Sequence, residues 1–413
     1  MSSFKKSSLT KITFDPSSID PNFPMIIDDV TLAQYLSITT KTLWFLLQQR
    51  NNMEAYKCFS IPRYSKNEPT KRLSNREIQE PQGFMKEVHR RLNYLFRIIP
   101  LDDSVAAYRK GKNCADAAKR HLRKSFYVPI DPNKSIEEQQ HTDPRYQTRR
   151  VPKDPQDTSS EKILQHQQPL CMIKLDISNF FPSIKASWIR SYFSEAVGYS
   201  NYVASLLATL CSVKRIIDVP GSDPFEVRHL PQGSPLSGAL ANLVAYHRFG
   251  KEILTYLKQH SPDWVVTIYS DDIIMTHPSQ TITDTEINMV TNSVKEIIGH
   301  AGFVINDMKT LIRRSHKGKV KILGCVVTDK LNIPRTLRKD IEFKLHMCSK
   351  FGFESSKPKD KSIGYYLQYL QGILEHIRSI RPDLAVKYTA MLDAAKELHS
   401  KELADNIVGG EIQ

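Results

Sequence analysis

An acidic doublet lies between two apolar runs of the sequence. Residues 265–276 read VVTIYSDDIIMT, with Asp271 and Asp272 at the centre. Two β-branched runs bent about two or three polar residues predict a β-hairpin that carries the carboxylates at its tip. Because adjacent carboxylates repel unless a cation lies between them, the doublet indicates a divalent metal site. The doublets at 28–29 and 102–103 lack flanking strands and are expected to be turn or cap residues.

A third carboxylate, Asp176, lies near the end of the segment CMIKLDI at 171–177. The alternation of this segment predicts a strand whose aspartate leaves the sheet on a different side from the core-facing residues. About 95 residues separate Asp176 from the doublet. Together these carboxylates are the parts needed for two-metal phosphoryl transfer, in which one ion lowers the pKa of a primer hydroxyl and the other holds a triphosphate.

The composition restricts the class of partner. The chain has 413 residues and a formal net charge of +14, which favours a polyanion such as nucleic acid. No apolar run approaches the ~20 residues needed to span a bilayer, so no membrane partner is expected. The six cysteines are scattered and mostly lie in apolar stretches, which is typical of reduced thiols in a cytoplasmic protein. The first residues contain lysines without an apolar segment behind them and do not resemble a signal peptide.

The first part of the chain predicts short helices and then a strand with basic residues after it. Helical spacing of leucines in 1–55 predicts an N-terminal helical extension. Residues 56–63 read as a strand, and the polar stretch at 64–80 is expected to be a solvated loop. The basic side chains of this region could together clamp a triphosphate, for which Arg offers bidentate contacts; they are Arg63, Lys71, Arg72 and Arg76.

Further along the chain, the pattern predicts an amphipathic helix at 85–99 and another that runs to about residue 124. The polar segment 128–169 has too few aliphatic residues to fold by itself and is expected to be an insertion on the surface or on a partner. A Gly/Pro-rich loop, LPQGSPLSG at 230–238, opens a helix and can bring free backbone N–H groups close to a ligand.

The last third of the chain gives clear local signals. The spacing of apolar residues predicts a helix at 287–298, a strand and turn at 302–309, and strand pairing between 319–327 and 332–334. The remainder, from 336 to about 404, has a helical pattern. The predicted units are the extension 1–55, a unit 56–170, a unit 171–325 and a unit 326–413.

Four of these motifs, taken in order, resemble the conserved blocks of reverse transcriptases. They are KLDISNFF, LPQGSPLSGALAN, IYSDD and GFVINDMKT, and the resemblance covers about 56–344. It implies an α+β, right-hand polymerase fold with helical and β fingers, an antiparallel-sheet palm and a helical thumb. The units listed above then correspond to the fingers at 56–170, the palm with finger elements at 171–325, and the thumb with a tail at 326–413.

The resemblance also implies a metal site with two Mg²⁺ ions. Asp176 and Asp271 would ligate both ions, with Asp272 close by as the third catalytic carboxylate. The carbonyl of Ile177 would complete the nucleotide-side ion site.

The same resemblance implies residues that bind the incoming nucleotide. Phe181 falls where the family places an aromatic side chain that blocks a ribose 2′-hydroxyl, although its periodicity equally fits a core position. Gln232 and Gly233 would touch the nucleotide, Lys309 would lie near its phosphates, and Arg76 in REIQEP matches an arginine of the fingers.

Within reverse transcriptases, YKCFSIPR, AYRKGKN and LGCVVTDKLNIPR are similar to retron enzymes and to defence-associated, abortive-infection relatives. Departures from the usual retron blocks at Ala117 and at 322–324 favour a defence-associated relative. The expected partners are a structured noncoding RNA template, a DNA product, dNTPs, companion defence proteins and a second copy of the chain. The alternatives are a group II intron type, a template-independent DNA polymerase, an RNA polymerase, and a catalytically silent RNA-binding scaffold.

Overall fold

The computed structural model describes most of the chain. The described residues are 20–49, 55–64, 72–122, 125–128, 146–152, 160–167, 171–217, 225–277, 282–314, 320–328 and 330–409. The predictions for 1–19, for Lys71 and for much of the segment 128–169 lie outside these residues. In the described part of the chain, no helix is both long and apolar enough to cross a membrane.

A four-stranded antiparallel sheet lies at the centre of the molecule. Its strands are β6 (Cys171–Asp176), β9 (Val265–Tyr269), β10 (Asp272–His277) and β11 (Leu311–Arg314). They are arranged in the order β11-β6-β10-β9. The predicted hairpin is therefore confirmed as β9 and β10, and β6 lies directly beside β10.

The alternation along β6 sorts its side chains between two apolar cores. Ile173 and Leu175 belong to a large first core, whereas Met172 joins Ile274 of β10 in a second core. Both faces of the sheet are thus covered, and Asp176 is the last residue of β6.

The following helices pack around the first core, except Cys114–Lys119, which buries Ala115 and Ala118 in the second core. Their bounds are α1 (Asp29–Tyr35), α2 (Thr40–Gln49), α3 (Gly83–Ile98), α4 (Cys114–Lys119), α5 (Phe180–Ser183), α6 (Ala186–Ser191), α7 (Asn201–Leu210), α8 (Ser237–Ala245), α9 (Lys251–His260) and α10 (Asp284–His300). Single π turns extend α6 and precede α9. The amphipathic pattern explains α3, whose buried side chains recur every three or four residues. Helix α4 ends at Lys119, earlier than the sequence predicted.

The acidic doublets outside the central hairpin have the local roles expected of them. Asp28 caps α1, and its side chain accepts a hydrogen bond from the Thr31 N–H. The side chain of Asp102 accepts a bond from the Ser104 N–H at 2.8 Å, which closes a turn.

From Arg72 onward, the polar stretch predicted as a loop is a strand. Strand β1 (Tyr56–Tyr64) pairs with β2 (Arg72–Pro81) along its whole length, so REIQEP lies in a strand. The sequence misled here because most side chains of this hairpin are exposed and carry no apolar alternation. A second hairpin pairs β7 (Val213–Ile217) with β8 (Phe225–His229).

The polar segment after α4 contains β-structure. Strands β3 (Ser125–Val128), β4 (Tyr146–Pro152) and β5 (Ser160–Gln167) form an antiparallel sheet in the order β3-β5-β4. Backbone pairing explains how a segment poor in aliphatic residues can still be ordered.

The second core joins short strands to three long helices. The strands are β12 (Lys321–Ile322), β13 (Cys325–Val327) and β14 (Leu331–Asn332), and the helices are α11 (Arg335–Ser356), α12 (Ile363–Ile380) and α13 (Pro382–Gly409). Gly352 interrupts α11 with a φ of 73°. The predicted strand at 302–309 is wrong: this segment forms an isolated bridge at Ile305 and a 3₁₀ turn, and β11 follows it.

Candidate active site

The strand register brings the three predicted carboxylates together. Asp176 of β6 and Asp272 of β10 are paired across the sheet. The Ile177 N–H donates a 2.8 Å hydrogen bond to the carbonyl of Asp271, so the hairpin tip is fixed to the chain that leaves β6. The Asp176 carbonyl accepts a 2.8 Å bond from the Asn306 N–H. Three distant parts of the sequence therefore meet at one corner of the sheet.

A tight turn presents Asp271. Tyr269 and Asp272 are paired, which leaves Ser270 and Asp271 as the two turn residues. Ser270 has a φ of 60°, a left-handed conformation that matches the twist of a two-residue hairpin. Ser270 is 5% exposed, so the turn is held in place and is not a mobile tip.

Two lysines neutralise the carboxylates. The Lys309 ammonium lies 2.8 and 3.1 Å from the two oxygens of Asp176. The Lys174 ammonium lies 2.7 Å from Asp272. Burial raises the pKa of Asp272; Lys174 opposes this shift, and the Asp271 and Asp176 charges add to it. Lys309 was predicted near substrate phosphates, whereas the partnership of Lys174 was missed, although its position two residues before Asp176 on the same strand face was a usable signal.

A polar cavity of about 580 Å³ opens above these groups. Most of the predicted site residues line it: Arg76, Asp176, Ile177, Phe181, Gln232, Asp271 and Lys309. Arg63 and Arg215 add further positive charge. Of the predicted site residues, Asp272 and Gly233 do not line the cavity: Asp272 contacts Lys174, and Gly233 lies against Ile78 and Gln79. The structure thus separates Asp271, which faces the cavity, from its neighbour in the doublet.

The glycine-rich loop is attached to strand β2. The Gln79 N–H donates a 2.6 Å bond to the Gln232 carbonyl. Gly233 has a φ of 119°, and a Cβ placed on it would lie 2.6 Å from the Ile78 side chain. Only glycine allows this loop to approach the strand so closely.

A buried histidine holds the same loop from below. His89 of α3 contacts the Ser234 hydroxyl at 2.6 Å and the Leu210 carbonyl at 2.9 Å. Because a carbonyl only accepts, Nε2 carries the proton and Nδ1 accepts from the hydroxyl. Burial lowers the pKa of His89 to about 4, so the ring is neutral near pH 7. The sequence analysis missed this residue, since a lone histidine on a helix gives no signal.

The donor chemistry of the site fits Mg²⁺. Mg²⁺ is usually bound through one or two carboxylates together with substrate phosphates and water, rather than by a complete protein cage. Asp176 and Asp271, with the Ile177 carbonyl beside them, supply such a partial set. Across the described residues, no group of three or more His, Cys, Asp or Glu side chains forms a ready metal site.

The matched family agrees with this geometry. The model of the family Reverse transcriptase (RNA-dependent DNA polymerase) matches residues 86–327, which is more than half of the chain. The chain therefore belongs to the reverse transcriptase family, whose members generally use divalent metal ions. The predicted α+β polymerase fold is confirmed.

Two individual relatives show which kind of reverse transcriptase the chain is similar to. The Retron Ec86 reverse transcriptase of Escherichia coli is 29% identical over 43% of this chain and 50% of that protein. The Retron Mx65 reverse transcriptase of Myxococcus xanthus is 25% identical over 52% of this chain and 47% of that protein. The chain spans about half the length of these curated relatives. The resemblance to retron enzymes is thereby confirmed.

A solved telomerase from Candida albicans, in complex with a fragment of telomeric RNA, is more distant. It is 12% identical, covers 86% of this chain and 60% of that chain, and has a TM-score of 0.38.

Proposed function

We propose that the chain is an RNA-directed DNA polymerase that extends a primer hydroxyl with dNTPs. One observation carries the proposal: Asp176 and Asp271 lie on the floor of a cavity that also contains arginines, Lys309 and the glutamine of the LPQG loop. Carboxylates for cations and cations for phosphates are the two requirements of nucleotidyl transfer.

Asp176, Asp271 and the Ile177 carbonyl would hold two Mg²⁺ ions, with Asp272 close by. Such ions activate a primer hydroxyl and neutralise charge on the triphosphate and the leaving pyrophosphate. The protein's contribution is to fix the two carboxylates on a buried turn and a strand end, so that little reorganisation is needed.

The basic side chains of the cavity would bind the triphosphate. Arg76 of β2 lines the cavity and offers a planar guanidinium that can contact two phosphate oxygens at once. Lys309 is 45% exposed and would exchange Asp176 for a phosphate when a nucleotide enters. Arg63 supports the same field from the neighbouring strand.

The loop and the aromatic wall would select the nucleotide. Gln232 projects into the cavity from a loop that two hydrogen bonds hold in place. Phe181 is half-buried on the opposite wall, and its ring packs on Phe180 at a centroid distance of 5.5 Å. We infer that Phe181 excludes a ribose 2′-hydroxyl, so that DNA rather than RNA is made.

The partners follow from the family and from the charge. A structured noncoding RNA as template, a cytoplasmic role in antiviral defence, companion proteins and self-association are the finer part of the proposal. They are supported by the similarity to retron reverse transcriptases and by the net charge of +14.

The test is a primer-extension assay with the purified protein, its co-purifying RNA, Mg²⁺ and labelled dNTPs. Labelled DNA is expected, and Asp271→Ala should abolish it because the metals lose an essential ligand. Asp103→Ala is the matched control, since Asp103 also belongs to an acidic doublet. Its side chain is 69% exposed and forms a surface ion pair with Lys112. DNA synthesis that persists in Asp271→Ala would overturn the site assignment.

Further arms separate the alternatives. RNase treatment before the reaction should remove the template and stop synthesis, whereas a template-independent polymerase would continue. Replacing dNTPs by NTPs should give little product, whereas an RNA polymerase would prefer them. A parent protein that binds RNA but incorporates neither would be a scaffold.

A further inference from the structure

Tyr108 lies between a helix and the aromatic wall of the cavity. Its ring contacts Phe181 edge to face, with centroids 6.3 Å apart and planes inclined by 64°. Ring pairs at this distance and angle attract each other and resist displacement. Tyr108 also lines the cavity itself and is 48% exposed. It belongs to the motif AYRKGKN, which has no role in the site described above.

The backbone at Tyr108 is held in an unusual conformation. Its φ is 53°, which is a costly conformation for a bulky residue and persists only where the surroundings impose it. The surroundings do so here. Asn242 of α8 donates its amide to the Ala107 carbonyl. Arg109 donates to the carbonyls of Asp102 at 2.9 Å and Val105 at 3.0 Å. The backbone that carries the Tyr108 ring is therefore held in place by hydrogen bonds on both sides.

The other side of the ring rests on a glycine. A Cβ added to Gly238 of α8 would lie 2.5 Å from two atoms of the Tyr108 ring. One of these atoms is Cγ, at the base of the ring, which a flip of the ring about χ2 does not move. The absent side chain of Gly238 is thus the space that Tyr108 occupies. Helix α8, Tyr108 and Phe181 form three successive layers.

We propose that Tyr108 is a positioning residue that fixes Phe181 against the sugar of the incoming nucleotide. This inference rests on the proposed function. With its backbone fixed and α8 behind it, the Tyr108 ring prevents Phe181 from tilting away when a 2′-hydroxyl presses on it. Selectivity between dNTP and NTP then depends on a residue that need not touch the 2′-position.

The first test measures kcat/KM for a dNTP and for the matching NTP in primer extension. Tyr108→Ala should raise the ratio of NTP to dNTP efficiency by about tenfold, the lower end of the 10- to 200-fold by which a one-methylene difference in fit between substrate and pocket changes discrimination. Tyr108→Phe keeps the ring and should keep the parent ratio. A purely structural loss would lower both efficiencies together and leave the ratio unchanged, which would overturn the inference.

The second test changes Gly238, which lies on the other side of the Tyr108 ring from Phe181. Gly238→Ala should raise the KM for dNTP several-fold, because the new methyl group pushes Tyr108 toward Phe181 and the sugar. In the double variant with Tyr108→Ala the methyl group meets empty space, so Gly238→Ala should then have no effect on KM. Equal effects of Gly238→Ala in both backgrounds would show that the three layers are not coupled.

Different results would refute the proposed function and the role of Tyr108. A parent protein that makes no DNA refutes the proposed function. A parent protein that makes DNA and rejects NTPs, together with a Tyr108→Ala variant of unchanged selectivity, refutes only the role of Tyr108. Phe181→Ala provides the scale, since it should relax selectivity at least as much as Tyr108→Ala does.

Discussion

Replacing Lys174 by Met should destabilise the protein by leaving a carboxylate without its partner. The Lys174 ammonium lies 2.7 Å from Asp272, and burial already raises the pKa of that carboxyl group. Methionine keeps the aliphatic stem, so the packing of β6 is preserved and mainly the charge is lost. The change therefore isolates one electrostatic contact beneath the active site.

The magnitude follows from the degree of burial. Exposed ion pairs contribute about 0–1 kcal/mol, whereas loss of one partner from a buried pair costs about 3–5 kcal/mol. The side chains of Lys174 and Asp272 are 33% and 20% exposed, which places this pair between the two limits. We expect Lys174→Met to lower the free energy of unfolding by about 2 kcal/mol.

The measurement is a double-mutant cycle of urea unfolding in EDTA, followed by tryptophan fluorescence. Lys174→Met, Asp272→Asn and the double variant are compared with the parent, and the coupling between the two sites should be about 1–2 kcal/mol. Removing both charges should cost less than the sum of the single changes, because no uncompensated charge remains. EDTA keeps added metal from contributing.

The control is the exposed pair of Lys112 and Asp103, which are 3.1 Å apart with side chains 36% and 69% exposed. Its coupling should not exceed about 0.5 kcal/mol. A coupling at Lys174 and Asp272 as small as that of the control would refute the reasoning. Asp272 would then not depend on Lys174.

Three further changes are informative. Arg76→Lys should raise the KM for dNTP about tenfold in primer extension, because one bidentate phosphate contact is lost. Gly233→Ala should lower the free energy of unfolding by about 1–3 kcal/mol in urea titration, since its φ is 119° and the new Cβ would lie 2.6 Å from Ile78. Gly299→Ala, in a helix with open space around it, should instead raise the free energy of unfolding by up to about 1 kcal/mol. Burial lowers the pKa of His121 from 6.5 to about 3. Below pH 6.5 the imidazole is therefore protonated in the unfolded chain but still neutral in the native chain, so the free energy of unfolding falls as the pH drops. Between neutral pH and pH 5, urea unfolding should show the parent losing about 2 kcal/mol more than His121→Asn.

The catalytic corner could be predicted from sequence because its signals are local. Alternation in the segment before Asp176 and the polar break at Asp271 define a strand end and a hairpin tip. The sheet order, which places β6 beside β10, did not follow from these signals, since register across the sheet is decided by packing of both faces. The spacing of the blocks and their resemblance to a family supplied that step.

The fingers hairpin and the supporting residues could not be predicted in the same way. Strand β2 carries charged residues on exposed positions, so no alternation identifies it as a strand. The roles of His89 and Tyr108 depend on contacts across 145 and 73 residues of sequence, and one chain contains no pattern for such pairs. For Lys174, the alternation of its strand indicated the shared face with Asp176 but not the contact with Asp272, which is 98 residues away. Their types were visible, but their partners were not.

Lys309 gives the site a built-in counter-charge. While its ammonium rests on Asp176, the corner is close to electrically balanced, and a stray divalent ion must compete with a tethered cation. An arriving triphosphate offers that ammonium a better acceptor, so the aspartate becomes free when the phosphates that complete an ion's coordination are also present. We expect Mn²⁺ bound to the protein, measured by electron paramagnetic resonance, to increase sharply on addition of a non-hydrolysable dNTP and to do so less in Lys309→Met. Ion loading would then report on nucleotide supply.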